Sequence, residues 1–323
     1  MLSRRFFRIK VLKVLFSYIN SENHSLPSAE RELLASIQKT YDLYRFLLTA
    51  AVAVADYAQE RIDIGLQKFQ PTQEEANPNM KFVNNKVITR IRNNKPLLRS
   101  CEQNCLNWKI HPAFIKKLYQ NIISSDYYQT YMDNPSHSFK DDLILLKYIY
   151  ANEFEDNPDL ELLLEEQSAY WIDDTAYVLA VILRALDKLE EKQGDEAELF
   201  QQKRNKADEK FATTLLLHSM AHYNEYKSMV YDFLKNWEAG RVAAMDTVLI
   251  AMGLSEAKEF PNIPIKVSIN EYVEIAKYYS TNNSHIFVNG ILDSILQKLL
   301  SEGVIVKKGR GLVESSIRQT KEI

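Results

Sequence analysis

Basic and aromatic side chains are concentrated at the start of the chain, in a segment with helical periodicity. One face of residues 4–19 is apolar, formed by Phe7, Val11, Val14, Leu15 and Tyr18. The other face holds most of the remaining large side chains: Arg5, Lys10, Lys13, Phe6 and Phe16. Cations bind phosphate and aromatic rings stack on unpaired bases, so this face favours single-stranded RNA, with Phe16 or Phe6 stacking. The helix alone leaves a second interpretation open, a helix buried on most sides whose basic residues only solvate its end.

Residues 264–293 hold a second group of polar side chains, on two predicted helices. Ser268 and Glu271 are spaced as a capping box, which predicts that the first helix starts at Ser268. A polar break at residues 280–283 precedes Ser284, the predicted cap of the second helix. The predicted core stripe of that helix is Phe287, Ile291, Ile295 and Leu299. Gly290 lies inside it, which predicts close approach of another backbone or a ligand.

Several side chains of this segment are candidates for binding. Lys266 and Lys277 can reach phosphate from the flanks of the first helix. His285 lies at the start of the second helix, where it adds no obvious packing. Asn289 lies two residues from Phe287, so a buried Phe287 predicts an exposed Asn289 that is free to bind.

The remaining chemical patterns are weak. His218 and His222 have the i, i+4 spacing of metal ligands, but Ser219 replaces the Glu that follows the first His in zinc proteases. Two surface or groove histidines are the simpler interpretation. Cys101 and Cys105 indicate a reduced pair on one helix. The sequence contains no phosphate loop, dinucleotide fingerprint or nucleophile elbow, so it predicts no enzyme, no cofactor and no metal.

The elements that position these residues are predicted to be helices. Gly is scarce in a chain of 323 residues, with 8 in total, which argues against a turn-rich β fold and predicts an all-α protein. The predicted organisation is a basic helix and helical hairpin over 1–68, a mobile linker over 69–97 and an extra helical block over 98–205. A carboxyl-terminal helical domain over 206–302 and a basic tail over 303–323 complete it.

The net charge of −3 conceals an uneven distribution. Five basic residues precede the first acid, Glu22: Arg4, Arg5, Arg8, Lys10 and Lys13. Residues 153–166, in contrast, contain seven acids and no Lys or Arg. A basic end on an acidic body predicts a localised anionic partner. No apolar run approaches the roughly 18 residues of a membrane span, which predicts a cytoplasmic protein without membrane contact.

Residues 264–293 resemble the carboxyl-terminal signature of the NusB family of bacterial transcription antitermination and ribosomal-RNA processing factors. The positions that fit, in order and without a gap, are Lys266, Asn270, Glu271, Glu274, Ala276, Lys277, Ser284, His285, Phe287, Asn289, Gly290 and Asp293. Asp246 and Glu256 fall at the family spacing upstream, and Val14-Leu15-Phe16 is similar to the end of the family's Arg-rich first helix. The departures from the pattern are Ile265, Ser280, Asn283 and Ile286. The resemblance covers the first helix or two and about residues 207–300.

The resemblance implies a NusB-like helical bundle with additional helices. It also implies a non-catalytic factor that binds boxA-type ribosomal leader RNA with the ribosomal protein NusE, on elongating RNA polymerase with other Nus factors. The expected RNA-binding residues are Arg4, Arg5, Arg8, Lys10, Lys13, Phe16, Lys266 and Lys277. The expected partner-binding residues are Glu256, Asn283, His285, Phe287 and Asn289. The alternative is a helical interaction scaffold that keeps the ribosomal-protein contact without binding RNA, suggested by the acidic segment and the altered signature positions.

Overall fold

The structure is a computed structural model that describes residues 2–21, 25–195, 197, 205–234 and 242–312. These residues contain 14 α-helices and no β-strand, which confirms the predicted all-α fold. The helices are α1 (Arg4–Ile19), α2 (Leu26–Leu66), α3 (Gln73–Ala76), α4 (Lys86–Asn93), α5 (Lys95–Gln103), α6 (Pro112–Ser124), α7 (Asp126–Asp133), α8 (Phe139–Glu153), α9 (Pro158–Gln167), α10 (Thr175–Asp187), α11 (Lys206–Phe233), α12 (Ala244–Glu259), α13 (Ile265–Tyr279) and α14 (Ser284–Ser301). Short 3-10 turns lie at Trp108–Ile110, Ile172–Asp174 and Gly309–Leu312.

The helices form two compact units. The central unit consists of the described residues between 38 and 197. The split unit combines residues 2–37 with the described residues from 205 onward. The predicted amino-terminal block 1–68 therefore does not stay together, because α1 packs against α11 and α12.

Large aromatic residues organise the core of the central unit. The Phe46 ring on α2 stacks on Trp108, with ring centroids 3.9 Å apart. The Trp108 Nε1 donates to the Phe46 carbonyl at 2.7 Å, and the buried Tyr150 hydroxyl donates to the Leu48 carbonyl at 2.8 Å. These polar tips are satisfied by the backbone of α2, so the rings can be buried at little cost.

The split unit is built around α12. All twelve residues from Asp246 to Ala257 are buried, and α12 packs against α1, α11, α13 and α14. A helix that is enclosed on all sides is normally apolar throughout. The polar residues of α12, which include Asp246 and Glu256, must therefore find hydrogen-bond partners inside the protein.

Two predictions about the amino-terminal half are wrong. α2 is one helix of 41 residues rather than two, since no Gly or Pro interrupts it between Pro27 and Gly65. Residues 69–97 are not a mobile linker, because they contain α3, α4 and the start of α5. Asn residues of this range act as helix caps: the Asn85 side chain accepts from the amides of Val87 and Ile88 at the start of α4.

None of the helices in the described part of the chain is both long enough and apolar enough to cross a membrane.

Candidate nucleic-acid interface

The first helix begins at a defined cap and is mostly buried. The Ser3 hydroxyl accepts from the Phe6 amide at 3.2 Å, and eight residues of α1 are buried. The predicted exposed face is therefore largely wrong. Phe6 and Lys10 are buried and Phe16 is half-buried, so neither aromatic ring forms an open stacking surface for a base.

The three arginines of α1 lie in two different environments. The side chains of Arg4 and Arg5 are 50% and 46% exposed, whereas that of Arg8 is 3% exposed. Arg8 lies on the same side of the helix as Arg4, one turn further along, where its guanidinium reaches Glu256 of the buried helix α12. Arg4 and Arg5 can reach a ligand in solvent, but Arg8 cannot contact one without leaving the core.

Arg8 is held by a bidentate ion pair with Glu256, which has no exposed surface. The Arg8 Nε donates to Glu256 Oε2 at 2.6 Å and Nη2 donates to Oε1 at 2.8 Å. The carboxylate also accepts from the Ser268 hydroxyl at 2.7 Å and the Tyr272 hydroxyl at 3.1 Å. Both oxygens are thus fully satisfied, as a buried charge requires.

This environment shifts the pKa values of the groups around Glu256. Burial lowers the pKa of Arg8, but its hydrogen bonds to Glu256 and the charge of that carboxylate outweigh burial, so the pKa is raised overall. Burial, followed by the negative charge of Glu256, raises the pKa of Tyr272 well above its usual value. Arg8 therefore stays charged and Tyr272 stays neutral at physiological pH.

Glu271 joins the two arginines at the surface. It accepts from Arg5 Nε at 3.0 Å and Nη2 at 2.7 Å, and from Arg8 Nη1 at 3.2 Å. Arg5 and Arg8 of the amino-terminal basic cluster therefore lie beside α13. The predicted capping box is wrong, because Ser268 and Glu271 are occupied by Glu256 and the arginines, and α13 starts three residues earlier at Ile265.

A groove of about 710 Å³ lies where α1 meets the start of α13. The described residues that line it are Ser3, Arg4, Arg5, Arg8, Asn262, Ile263, Pro264, Val267, Glu271 and Arg310. The positive end of the α13 dipole is at the same place, since Pro264 and Val267 belong to the cap and first turn of that helix. This cationic groove can attract an anion and offers apolar surface beside the charges.

The groove brings together only part of the predicted RNA-binding set. Arg4, Arg5 and Arg8 line it, but the described lining does not include Lys10, Lys13, Phe16, Lys266 or Lys277. The Lys13 ammonium lies 5.7 Å from the centre of the Tyr279 ring, and Lys277 pairs with Glu274. Arg310 was missed as a site residue; the only signal for it was the basic tail that contains it.

The predicted partner-binding residues have very different exposures. Asn283 and Asn289 are exposed, as predicted for Asn289, whereas His285 and Phe287 are half-buried. Glu256 is fully buried, so its side chain cannot touch a partner, and that prediction is wrong. The core stripe of α14 runs through Val288, Leu292, Ile295 and Leu299, one residue away from the predicted start at Phe287.

Asp246 fixes the turn between α13 and α14. Its two carboxylate oxygens accept from the Ser280 hydroxyl at 2.6 Å and the Ser284 hydroxyl at 2.9 Å. Ser284 is the first residue of α14 and not its cap. The cap residue is Asn283, whose side chain forms no capping hydrogen bond. The turn that carries Asn283 is anchored to the buried helix α12.

The two glycines of this region differ in how closely other residues approach them. A Cβ on Gly290 would meet no atom within 4 Å, so the close approach predicted there is absent from the described structure. A Cβ on Gly253 would lie 2.7 Å from Leu292 Cδ2, because α12 and α14 cross at this point. Gly253 is therefore the position where a side chain would obstruct helix packing.

His218 and His222 lie on α11 with ring centroids 4.4 Å apart. Each has its own carboxylate: His218 Nε2 is 3.8 Å from Glu259 and His222 Nδ1 is 2.8 Å from Glu225. Over the described part of the chain, no group of three or more His, Cys, Asp or Glu could hold a metal ion.

The fold and the groove define a class of all-α proteins in which an amino-terminal basic helix and a carboxyl-terminal helical pair share a cationic surface. Residues 176–297 match the model of the NusB family. The match begins upstream of the resemblance at 207–300, within α10, and it does not include α1.

Three curated relatives carry the name transcription antitermination protein NusB. The protein of Salinibacter ruber is 41% identical over 103 residues, which is 32% of this chain and 64% of the relative. That of Chloroherpeton thalassium is 49% identical over 79 residues, or 24% of this chain and 37% of the relative. That of Methylacidiphilum infernorum is 45% identical over 76 residues, or 24% of this chain and 53% of the relative. The chain thus spans less than two thirds of each relative. No solved structure gives a significant match to the chain.

Proposed function

We propose that this protein is a non-catalytic transcription antitermination factor of the cytoplasm. It binds boxA-type ribosomal leader RNA together with the ribosomal protein NusE, and the complex attaches to elongating RNA polymerase with other Nus factors. The name shared by the curated relatives supports the general role. The observation that carries the RNA-binding part is the groove in which Arg4 and Arg5 of α1 meet the first turn of α13.

Within this proposal the basic residues have two different tasks. Arg4 and Arg5 contact phosphate from the groove, and Lys266 and Lys277 extend the cationic surface along the exposed side of α13. Arg8 positions α1 through Glu256 and does not contact RNA. Lys10, which is buried, and Phe16, which is half-buried, are left out of the contact surface.

The partner NusE is proposed to dock on the exposed side of the α13–α14 turn and α14. Asn283 and Asn289 are exposed there, and Ile286 exposes 64% of its surface. An apolar side chain next to polar ones is a usual feature of a docking surface. Gly290 leaves room on the same side for the close approach of a partner backbone.

The test is a titration of leader RNA that contains boxA, with and without NusE, at two salt concentrations. We expect the Arg4→Ala/Arg5→Ala variant to flatten the dependence of log K on log salt by about 0.7 per lost phosphate contact. For two contacts this corresponds to roughly fifteenfold weaker binding at 0.15 M salt. Arg8 is left unchanged, because its replacement would disturb the core.

The matched control is Arg31→Ala/Lys298→Ala, which removes the same charge from exposed positions of the split unit outside the groove. It should retain the wild-type affinity and salt slope. Equal loss in both variants would mean that RNA is attracted only by overall charge. No loss in the Arg4 and Arg5 variant would eliminate the groove as the RNA site.

A second candidate is a helical scaffold that binds the ribosomal protein but no RNA. It is favoured by two ion pairs that already neutralise arginines of α1. Glu271 pairs with Arg5, and Glu256 pairs with Arg8. The acidic residues of α9 point the same way, since they repel nucleic acid. Co-purification with the ribosomal protein, without RNA retained after a salt wash, would support the scaffold.

A further inference from the structure

The end of the described chain forms a strap, residues 307–312, that is fastened to the carboxyl terminus of α12. Lys307 is only 9% exposed, and its ammonium donates to the carbonyls of Ala257 at 2.7 Å and Phe260 at 3.2 Å. A cation at this position satisfies carbonyls that the helix leaves unpaired and complements its dipole. The Lys308 amide adds a hydrogen bond to the Pro261 carbonyl at 3.0 Å.

Two glycines allow the strap to lie directly on the backbone of the α12–α13 loop. A Cβ on Gly311 would be 2.3 Å from the Pro261 carbonyl oxygen, so no larger residue fits without moving the strap. Gly309 has a φ of +55°, in the left-handed region that favours glycine. The strap therefore has one defined position, set by backbone contact and by the buried Lys307.

This position places Arg310 in the wall of the cationic groove. Its side chain is exposed and forms no ion pair with any other described residue. The groove lining then contains four guanidinium groups and one carboxylate, Glu271. Because Arg5 and Arg8 are bonded to Glu271 and Glu256, and Arg4 lies 3.8 Å from Asp208, Arg310 is the least neutralised cation of the groove.

We propose that Arg310 is a phosphate-contacting residue of the RNA groove and that the strap forms one wall of it. The binding site is then assembled from two segments that are remote in sequence, α1 and residues 307–312. This inference rests on the proposed RNA-binding function. Its ligand is the backbone of a single strand, since the lining offers cations and apolar surface without an open aromatic stacking platform.

The experiment measures binding of the boxA leader RNA to Arg310→Ala, Arg310→Lys and Gly311→Ala variants of the full chain across a salt series. Arg310→Ala should flatten the salt slope by about 0.7, which is roughly fourfold weaker binding at 0.15 M salt. Arg310→Lys keeps the charge and should recover most of the affinity. Gly311→Ala displaces the strap and should weaken binding although it removes no charge.

The control is Lys308→Ala, which removes a neighbouring exposed cation that is not part of the groove lining. It should leave the salt slope nearly unchanged, and thermal unfolding of every variant verifies that the split unit stays folded. If Arg310→Ala and Lys308→Ala behave alike while Arg4→Ala/Arg5→Ala loses affinity, the role of Arg310 is overturned and the proposed function stands. If wild-type protein binds no RNA, both are overturned.

Discussion

The buried guanidinium of Arg8 shows that the amino-terminal basic cluster is partly structural, because this arginine is paired inside the protein. A buried arginine without a partner would cost several kcal/mol, so its burial depends on the carboxylate of Glu256. Sequence reasoning recognised both residues but assigned them to ligands, Arg8 to RNA and Glu256 to a protein partner. In the structure the two residues form an ion pair with each other.

Glu256→Gln is predicted to destabilise the split unit strongly. The substitution leaves the positive charge of Arg8 buried without its counter-charge, and breaking a buried pair in this way typically costs about 3–5 kcal/mol. Urea denaturation gives the change in the free energy of unfolding. Glu271→Gln serves as the comparison, because that side chain is 20% exposed and should lose only about 1 kcal/mol or less. Equal losses would contradict the role given to Glu256.

His218 is predicted to make the split unit less stable in mild acid. Burial, followed by the charge of His222, lowers the pKa of His218 below its ordinary value of 6.5. Glu259 and Glu225 act in the opposite direction and Lys258 in the same direction, without reversing the shift. The unfolded chain therefore binds a proton at this site more readily than the folded chain.

Neutral His218 therefore makes its full contribution to the free energy of unfolding above pH 6.5. This contribution decreases as the pH falls through the lowered pKa that His218 has in the folded protein. We expect the melting temperature of the wild type to drop between pH 7 and pH 5 more than that of His218→Gln. A difference between the two proteins that stays constant over this range would contradict the prediction.

At the scale of elements, the close crossing of α12 and α14 requires Gly253, whereas Gly290 is not needed for packing. Gly253→Ala should destabilise by about 1–3 kcal/mol, because the new methyl group overlaps Leu292 and approaches Tyr272. Gly290→Ala should stabilise by about 0.5–1 kcal/mol, since it lies in open space within a helix. Urea midpoints of the two variants must move in opposite directions; the same direction for both would refute the packing argument.

The helices themselves were largely predictable from the sequence, but their ends and exposed faces were less so. α1 spans the predicted residues 4–19, but its buried residues lie on more than one face of the helix. Ser268 and Glu271 misled the prediction of where α13 begins, because cap-forming side chains also form tertiary contacts. The Ser268 hydroxyl donates to Glu256, and the Glu271 carboxylate accepts from Arg5. Local spacing cannot reveal a partner more than 200 residues away, such as Arg8 for Glu256.

At the scale of the whole molecule, the family resemblance identified the right part of the chain. The NusB-family match covers most of residues 207–300. The residues that complete the groove were harder to find. The position of Arg310 is set by the strap, and the position of the strap is set by the contacts of Lys307 and Gly311. These contacts join residues that are remote in sequence and carry no periodic pattern.

The ion pair between Arg8 and Glu256 also sets the order in which the chain can fold during synthesis. The two residues are separated by 248 positions, so at about 5–20 residues per second α1 waits roughly 10–50 s for its counter-charge. During that interval the central unit, which is continuous in sequence, can fold first. Protease digestion of ribosome-bound nascent chains should find α1 susceptible until residue 256 has left the exit tunnel. Early protection of α1 would show that the first helix is sheltered by something other than its eventual neighbours.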